Sequence, residues 1–508
     1  MRTKGGWART RLRRATMVGV SAAVAFPIYS RRASSASPAT VAAPRRGPVA
    51  PISGFAAVAG TAAAAAAAES VLRAPRVATR AASATSERAL ATCGGGSSLT
   101  TSVLNLSKNI IGAGMLSLPF AMKSAGVVPF LFGLAAIGAM NAYTFFLLGW
   151  CCRKTGARSF GELWSKTFGN ESAWIADVSV LLNNGLACLA YCVLIGDFLS
   201  KALEGLLPTM LLLHSRGLDL VLVAVLLLVP LSLLQNLAPL RSSSIVGLAA
   251  TLYGFLLLCS DCATNVDVAN STGPVLTNFF AVRVDFFQAV ALFSSAFMAH
   301  YNSPKFYADL EDNTLPRFAA LVSVAFGLAF LMFAIFGFSG FALFGYGVEG
   351  NVLKNYSGGT KVMLAWLGMA FSVVFTYPLV FSTFRESCSA LLSRSGFVKD
   401  AAASSFRVPF TLSAVALTVL GGTVFSNVAV VNGVKGAVLS ACLAFIYPAI
   451  IHLRLSATHE QDSTTKLMRT GSTALIVTGA GLGILALLAM FVLPKTDFSA
   501  FAAQSPAL

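Results

Sequence analysis

Residues 105–126, Asn-Leu-Ser-Lys-Asn-Ile-Ile-Gly-Ala-Gly-Met-Leu-Ser-Leu-Pro-Phe-Ala-Met-Lys-Ser-Ala-Gly, are apolar enough to enter a bilayer. They nevertheless carry Gly112, Ala113 and Gly114 near the middle, with Pro119 five residues further on. In a helix interior a glycine costs about 1 kcal/mol relative to alanine and a proline about 3. A segment serving only as an anchor has little reason to hold all three. Lys108 lies one turn before the glycines, and an intramembrane charge costs several kcal/mol unless it is hydrated or paired. Glycine-interrupted helices are one means by which transporters turn backbone N–H and C=O groups toward a substrate. The alternative is that the small residues only let helices approach closely.

The chain has 508 residues, 56% of them apolar and 11% charged, with a mean hydropathy of +0.74. That balance describes a multi-span membrane protein rather than a soluble enzyme. The formal charge of +17 raises the question of a nucleic-acid partner, so its location matters. Residues 1–97 hold 13 Arg and 1 Lys against Glu69 and Glu87, which supplies +12 of the +17. The remainder is close to balanced and contains no basic binding face, so nucleic acid is excluded as a partner. The nine cysteines are scattered. Cys188 and Cys192 share a helix face, and Cys259 and Cys262 have CxxC spacing without a second Cys or His pair. Neither a zinc site nor a disulfide framework is indicated.

Residues 1–97 are rich in Ala, Arg, Ser and Pro and nearly free of acids, the composition of an organelle transit peptide. A signal-like pattern is nested inside: basic residues over 9–14, the weakly apolar stretch Met17–Phe26, and a small-residue site before Pro27. A signal sequence followed by a transit peptide, with Phe at the junction, resembles the presequences of algae with secondary plastids. The alternative is an unprocessed, unstructured cytosolic tail.

From Leu99 onward, eleven spans of about 20 residues can be drawn. They cover 99–122, 127–150, 173–199, 218–234, 243–263, 286–304, 317–345, 360–384, 408–428, 432–453 and 470–493. Residues 496–508 form a short tail. With the N-terminus inside, inner connections hold 14 Lys and Arg against 8 outside, which favours that orientation even without the tail. The sequon Asn270-Ser-Thr272 then falls in an outer connection, as a glycosylation acceptor would. In an organelle inner membrane that sequon has no meaning, so it pulls against the transit-peptide reading.

Spans one to five and six to ten can be compared as two halves. Span six runs Ala289-Val-Ala-Leu-Phe-Ser-Ser-Ala-Phe-Met-Ala-His-Tyr-Asn-Ser-Pro304, again with small polar residues at its centre and a breaker near its end. Disturbed helices at corresponding positions point to a binding site at the repeat interface. Freed N–H groups suit a carboxylate and freed carbonyls suit an ammonium or a small cation. An α-amino acid, which needs both, is the natural ligand.

Five motifs resemble those of the amino acid/auxin permease family of secondary transporters. They are Asn105–Gly126, Ala299–Tyr307, Gly347–Tyr356, Thr376-Tyr-Pro378 with Arg385, and Ala444–Pro448, in order across Leu99 to about Leu493. The resemblance implies an all-α membrane protein of about eleven helices, with a LeuT-like five-plus-five inverted repeat and broken helices one and six. It also implies amino-acid transport coupled to Na⁺ or H⁺, with no catalytic residue, metal or cofactor. Residues 1–97 lie outside it. The substrate-binding positions it suggests are Gly112, Ala113, Gly114, Met115, Tyr191, Ser294, Ser295, Phe297 and Ser372. The ion-coupling positions are Lys108, Asn109, Thr376 and His300.

Sodium-coupled members resemble one another in placing Asn at the position of Lys108, with a Thr matching Thr376 completing the site; Lys is common there in proton-coupled members. The physics agrees. An ammonium beside unwound carbonyls takes the place of a cation and repels Na⁺, while a lysine stripped of water gives up its proton more readily. The expectation is Na⁺-independent, H⁺-coupled transport of neutral L-amino acids. In the alternative, Lys108 snorkels to the inner face or pairs with an acid such as Asp197. His300 relays protons or gates in one reading and makes structural hydrogen bonds in the other. Asp177 is expected at an interface, and Asp197 near the outer end of span three as a helix cap.

Three other function classes compete with transport. An amino-acid sensor using the same fold would signal through its tail, but the tail has few anchor-like aromatics or acidic recognition motifs. An intramembrane enzyme is disfavoured by the histidine set: His214, His300, His452 and His459 form no HExxH-like pair, and no nucleophile elbow is present. No charged ring or filter-like sequence suggests a channel.

Overall fold

The structure, a computed structural model, describes residues 96–206, 215–234, 240–265, 274–281, 283–395, 404–457 and 463–493, all within one compact unit. The arginine-rich tail up to residue 95, the sequon at 270–272 and the segment 496–508 lie outside the described residues. Among the described residues, nine helices are long and apolar enough to cross a bilayer: Val127–Thr155, Asn170–Leu206, Arg216–Leu233, Ile245–Thr264, Leu315–Gly347, Thr360–Arg394, Phe406–Val424, Val428–Ser456 and Lys466–Phe491. These occupy the places of spans two to five and seven to eleven. Spans one and six are interrupted segments, 99–125 and 286–309.

Local sequence explains the boundaries. Gly126 separates spans one and two at φ 89°, and a Cβ there would meet the carbonyl oxygen of Asn278 at 2.9 Å. Only glycine combines that backbone with that contact. The amides of Val127 and Val128 donate to the carbonyls of Asn278 and Phe279, so the connection before span six seals the start of span two. Span two ends at Gly156, a left-handed C-cap. The following connection forms a short helix, Phe160–Phe168, where the sequence suggested only a polar loop. Ser159 caps it by accepting from the Glu162 amide, while the Glu162 carboxylate accepts from the Arg158 amide.

Span eight continues to Arg394, ten residues beyond the expected end, and Pro378 does not break it. Side-chain contacts hold the extra turns. Arg385 donates to the Ser232 carbonyl at 2.8 Å, and Arg394 pairs with Asp177 at 3.0 Å. Span eight packs along spans three and five, and span seven packs on span two and both halves of span one. Span ten is the most enclosed of the nine and changes from α to π geometry over Lys435–Ile446, a feature the sequence reading did not contain. It packs against span six on one side and span eleven on another.

Candidate functional site

The first half of span one, Leu99–Ile110, begins at Ser98, whose hydroxyl accepts from the Thr101 amide, and ends at Ile111 in an extended conformation. Gly112 is also extended (φ −138°, ψ −159°), and a 3₁₀ turn over Ala113–Ser117 leads into the helix Leu118–Ala125, with Pro119 in its first turn. Proline is tolerated there because its missing N–H would have no helical partner. Among the described residues, the amides of Gly112, Ala113 and Gly114 have no backbone acceptor. The last carbonyls of the first half-helix are likewise released. A Cβ on Gly112 would meet nothing within 4 Å, so the break borders open space.

Span six breaks in the same way. Its helix Phe286–Ala296 stops, residues 297–299 are irregular, a 3₁₀ turn covers His300–Asn302, and a helix resumes over Ser303–Asp309. The two breaks face each other. A Cβ on Gly114 would lie 3.5 Å from the Ala296 Cα, and the Asn302 amide reaches the Asn109 side-chain oxygen at 3.5 Å. Free donors and acceptors from two helices therefore meet around Gly112–Gly114 and 297–302. Ser295, buried on the last turn before the second break, has an unpartnered hydroxyl; the Ser294 hydroxyl donates to the Val290 carbonyl. Met115 is buried beside the first break.

The ion-coupling candidates are less closely gathered. Lys108 sits in the last turn of the first half-helix, partly exposed, with no ion pair or hydrogen bond among the described residues. Thr376 donates its hydroxyl to the Ser372 carbonyl at 2.7 Å, and no bond joins it to Lys108. Asp197 is not the partner of Lys108, nor is it a helix cap. It is buried nine residues before the end of its helix, pairs with Arg216 at 3.1 Å and accepts from Asn351 at 3.3 Å. Arg216 also donates to the carbonyls of Gly422 and Val193, at 2.7 and 3.1 Å. Its fork of five donors ties spans three, four and nine together. Asp177 is half-buried in its pair with Arg394.

His300 is fully buried, with Nε2 3.1 Å from the Asn141 carbonyl and 2.9 Å from the Thr144 hydroxyl. A carbonyl only accepts, so we assign the proton to Nε2; Nδ1 has no partner. The ring thus latches the span-six break to span two. Phe297 is fully buried among Phe326 and Phe333, against Gly138, and its ring belongs to the packing between spans two, six and seven. Ser372 donates to the Gly247 carbonyl at 3.1 Å and so joins spans eight and five. Tyr191 on span three and Tyr301 in the second break both retain accessible surface.

The sequence reading passed over Lys435, a second unpaired cation, seven residues into span ten. Its signal was available: a lone charge in Asn432-Gly-Val-Lys-Gly436 inside an apolar run, open to the cost argument applied to Lys108. A cleft of about 590 Å³ lined by Ser159, Glu162, Lys166, Asp177 and Arg394 lies away from the breaks. Its charges neutralise one another, Lys166 with Glu162 and Arg394 with Asp177, so it offers no comparable set of free groups.

Two interrupted helices, facing each other inside a bundle of membrane-length helices and exposing unpaired backbone groups there, define a multi-pass α-helical membrane protein with the architecture of secondary transporters. Comparison with known proteins places the chain more closely. Residues 95–492 match the model of the transmembrane amino acid transporter protein family, and the chain belongs to that family. It is 28% identical over 373 residues to a Danio rerio protein provisionally named sodium-coupled neutral amino acid transporter 11, covering 72% of this chain and 80% of that one. Vacuolar amino acid transporter 2 of Saccharomyces cerevisiae is 24% identical over 375 residues, covering 71% and 77%. Amino acid transporter AVT6E of Arabidopsis thaliana is 24% identical over 376 residues, covering 71% and 76%. Among solved structures, MhsT in complex with L-phenylalanine aligns with a TM-score of 0.48 at 13% identity, covering 77% of this chain and 97% of that one.

Proposed function

We propose that the chain carries neutral L-amino acids across a membrane by secondary active transport, driven by protons and independent of Na⁺. The observation that carries the coupling reading is Lys108. Lys108 lies in the last turn of the first half-helix, whose freed carbonyls would be the ligands of a sodium ion, and no acid among the described residues pairs with it. A zwitterion fits the paired breaks because donors and acceptors are both unsatisfied there. Neutral substrate class rests on the name of the Danio rerio relative. The same name gives a second reading, sodium symport, with Thr376 as one ligand.

We read the N-terminus as inside, on the positive-inside count, and residues 1–97 as a presequence that directs the chain to an organelle, a plastid or another; without cleavage the destination is the plasma or vacuolar membrane. The test of transport is uptake of a labelled amino-acid panel into proteoliposomes under an imposed pH gradient or an imposed Na⁺ gradient. Accumulation driven by protons alone is expected, and Lys108→Asn is expected to lose it or to acquire Na⁺ dependence. Sodium-driven uptake by the unaltered chain overturns the proton reading and keeps the transporter. Binding without accumulation under either gradient overturns transport in favour of a sensor.

A further inference from the structure

Lys435 is an intramembrane cation that neither the family match nor the relatives' names assign to anything. It lies seven residues inside span ten, about 10 Å from the start of that helix at 1.5 Å per residue. It is half-buried, on the most enclosed of the nine membrane-length helices. A lysine that snorkels along a lipid-facing groove has protein on one side only. On a helix this enclosed, the surface Lys435 keeps opens within the bundle or at the end where span ten starts.

The neighbours of span ten locate that space. The turns immediately before Lys435, Val428–Val434, pack against the 3₁₀ turn of the span-one break, the first half of span six and span three. The π segment that begins at Lys435 packs against span six, including the 3₁₀ turn over His300–Asn302. At Gly436 the backbones of spans ten and six are almost in contact: a Cβ there would lie 2.6 Å from the Ala291 carbonyl carbon. The helix carrying Lys435 therefore borders both breaks and span three, the helix of Tyr191. The connection 345–359 covers the same end: Gly350 packs against Asn427 and Ala429 at the start of span ten, and Val352–Asn355 packs against the span-one break.

No acid on the packed elements is available to Lys435. Asp197 on span three is tied to Arg216 and Asn351, and Glu349 in the connection is paired with Lys354 at 3.0 Å. Among the described residues, no ion pair reaches Lys435. A desolvated charge with no protein counter-charge is costly, and a site that receives an anion recovers that cost. In addition, a low-dielectric passage focuses the field of a fixed charge along its length.

We propose that Lys435 is a charge-selecting residue in the passage between the 345–359 side and the paired breaks: it holds the carboxylate of an incoming amino acid and turns away amino acids with a net positive charge. This rests on the amino-acid transport reading above. The ligand it recognises is a free carboxylate beside an α-ammonium, and Lys435 contributes to affinity and selectivity rather than to the driving ion.

The experiment uses the full chain in proteoliposomes, comparing Lys435→Gln and Lys435→Arg with the unaltered protein. Initial uptake is measured for two neutral amino acids of different size, together with inhibition by lysine and arginine. Lys435→Gln is expected to raise KM roughly tenfold for both substrates, as fits loss of one charge interaction at intermediate dielectric, and to become inhibitable by cationic amino acids. Lys435→Arg is expected to keep the original selectivity, which separates charge from side-chain packing. Size-exclusion profiles of the three proteins check that each is folded. If Lys435→Gln is folded and keeps both its KM values and its exclusion of cationic amino acids, the proposal is wrong. If Lys435→Arg fails in the same way as Lys435→Gln, the position requires a shape and not a charge, and the proposal is again overturned. Should the unaltered chain accumulate no amino acid, the transport reading itself has failed, an outcome distinct from either variant result.

Discussion

Gly112 and Gly436 both lie at the centre of the bundle, yet a methyl group has opposite consequences at the two. At Gly112 the backbone is extended and an added Cβ meets nothing within 4 Å. Alanine adopts that conformation without strain, so Gly112→Ala should leave the fold intact and even gain about 0.4–1 kcal/mol by restricting the unfolded chain. At Gly436 the added Cβ would sit 2.6 Å from the carbonyl carbon of Ala291 and 3.1 Å from its Cα, with the carbonyl oxygen closer still. Carbon atoms pack at about 3.5–4.0 Å, so spans six and ten must move apart by about 1 Å. Both partners are helix backbone, which has no rotamer to yield. Overpacking of this kind costs about 1–3 kcal/mol or more, and Gly436→Ala belongs at the upper end.

The functional expectation runs the other way for Gly112. The open space beside it is where a substrate backbone would approach the free amides of 112–114. A methyl group there imposes overpacking on the ligand, and even about 1.4 kcal/mol is tenfold in affinity. Thermal unfolding followed by size exclusion, with uptake measured on the same preparations, checks both halves. Gly112→Ala should be as stable as the parent or slightly more so, with at least a tenfold higher KM. Gly436→Ala should be clearly less stable. Unimpaired uptake by Gly112→Ala would falsify the placement of substrate at the first break, and a fully stable Gly436→Ala would refute the close approach of spans six and ten.

Two further substitutions separate scaffold from site. Removing Arg216 as Ala breaks the buried ion pair with Asp197 and should cost about 3–5 kcal/mol, read as a large fall in thermal stability; a stable variant would show that Lys354, the other cation acting on Asp197, suffices. His300→Ala removes the Nε2–H donor to the Asn141 carbonyl and should cost about 1–3 kcal/mol while the pH profile of residual uptake keeps its shape. A change in that profile would restore the proton-relay reading.

Much of this arrangement can be read in the chain because membrane burial makes irregularity expensive. Gly112–Gly114 and the Ser294–Pro304 stretch stand out against apolar surroundings, and the structure breaks both helices there. The side-chain partners were harder to foresee. Asp197 looked like a cap because its helix was expected to end near residue 199; the helix runs to Leu206, and Arg216 comes from the next span. Phe297 and Ser372 are on the expected helices, but their directions depend on which neighbour offers a gap: Gly138 for the ring, the Gly247 carbonyl for the hydroxyl. The π geometry from Lys435 to Ile446 leaves no mark in a hydropathy pattern, because beyond Lys435 its residues are apolar or small on every face.

The distribution of satisfied and unsatisfied polar groups argues for the site independently of any motif. Charges that fix the scaffold are paired: Asp197 with Arg216, Asp177 with Arg394, Glu349 with Lys354. Buried polar atoms without partners gather on the interrupted helices and those packed against them: Ser107 and Ser117 on span one, Ser295 and His300 Nδ1 on span six, Asn183 and Asn184 on span three, Ser440 on span ten. Others lie elsewhere among the described residues: Asn141 on span two, Ser232 on span four, Arg317 Nε on span seven and the Tyr356 hydroxyl in the connection after it. An unpaired buried polar group costs about 1–3 kcal/mol, and one needed only for folding would be replaced by an apolar residue at no loss. Retaining so many beside two broken helices is reasonable where a polar ligand completes them in turn. Lys108 and Lys435, unpaired on spans one and ten, extend the same pattern to charge. On the transport reading proposed above, a substrate charged at both ends completes the groups left open around the breaks.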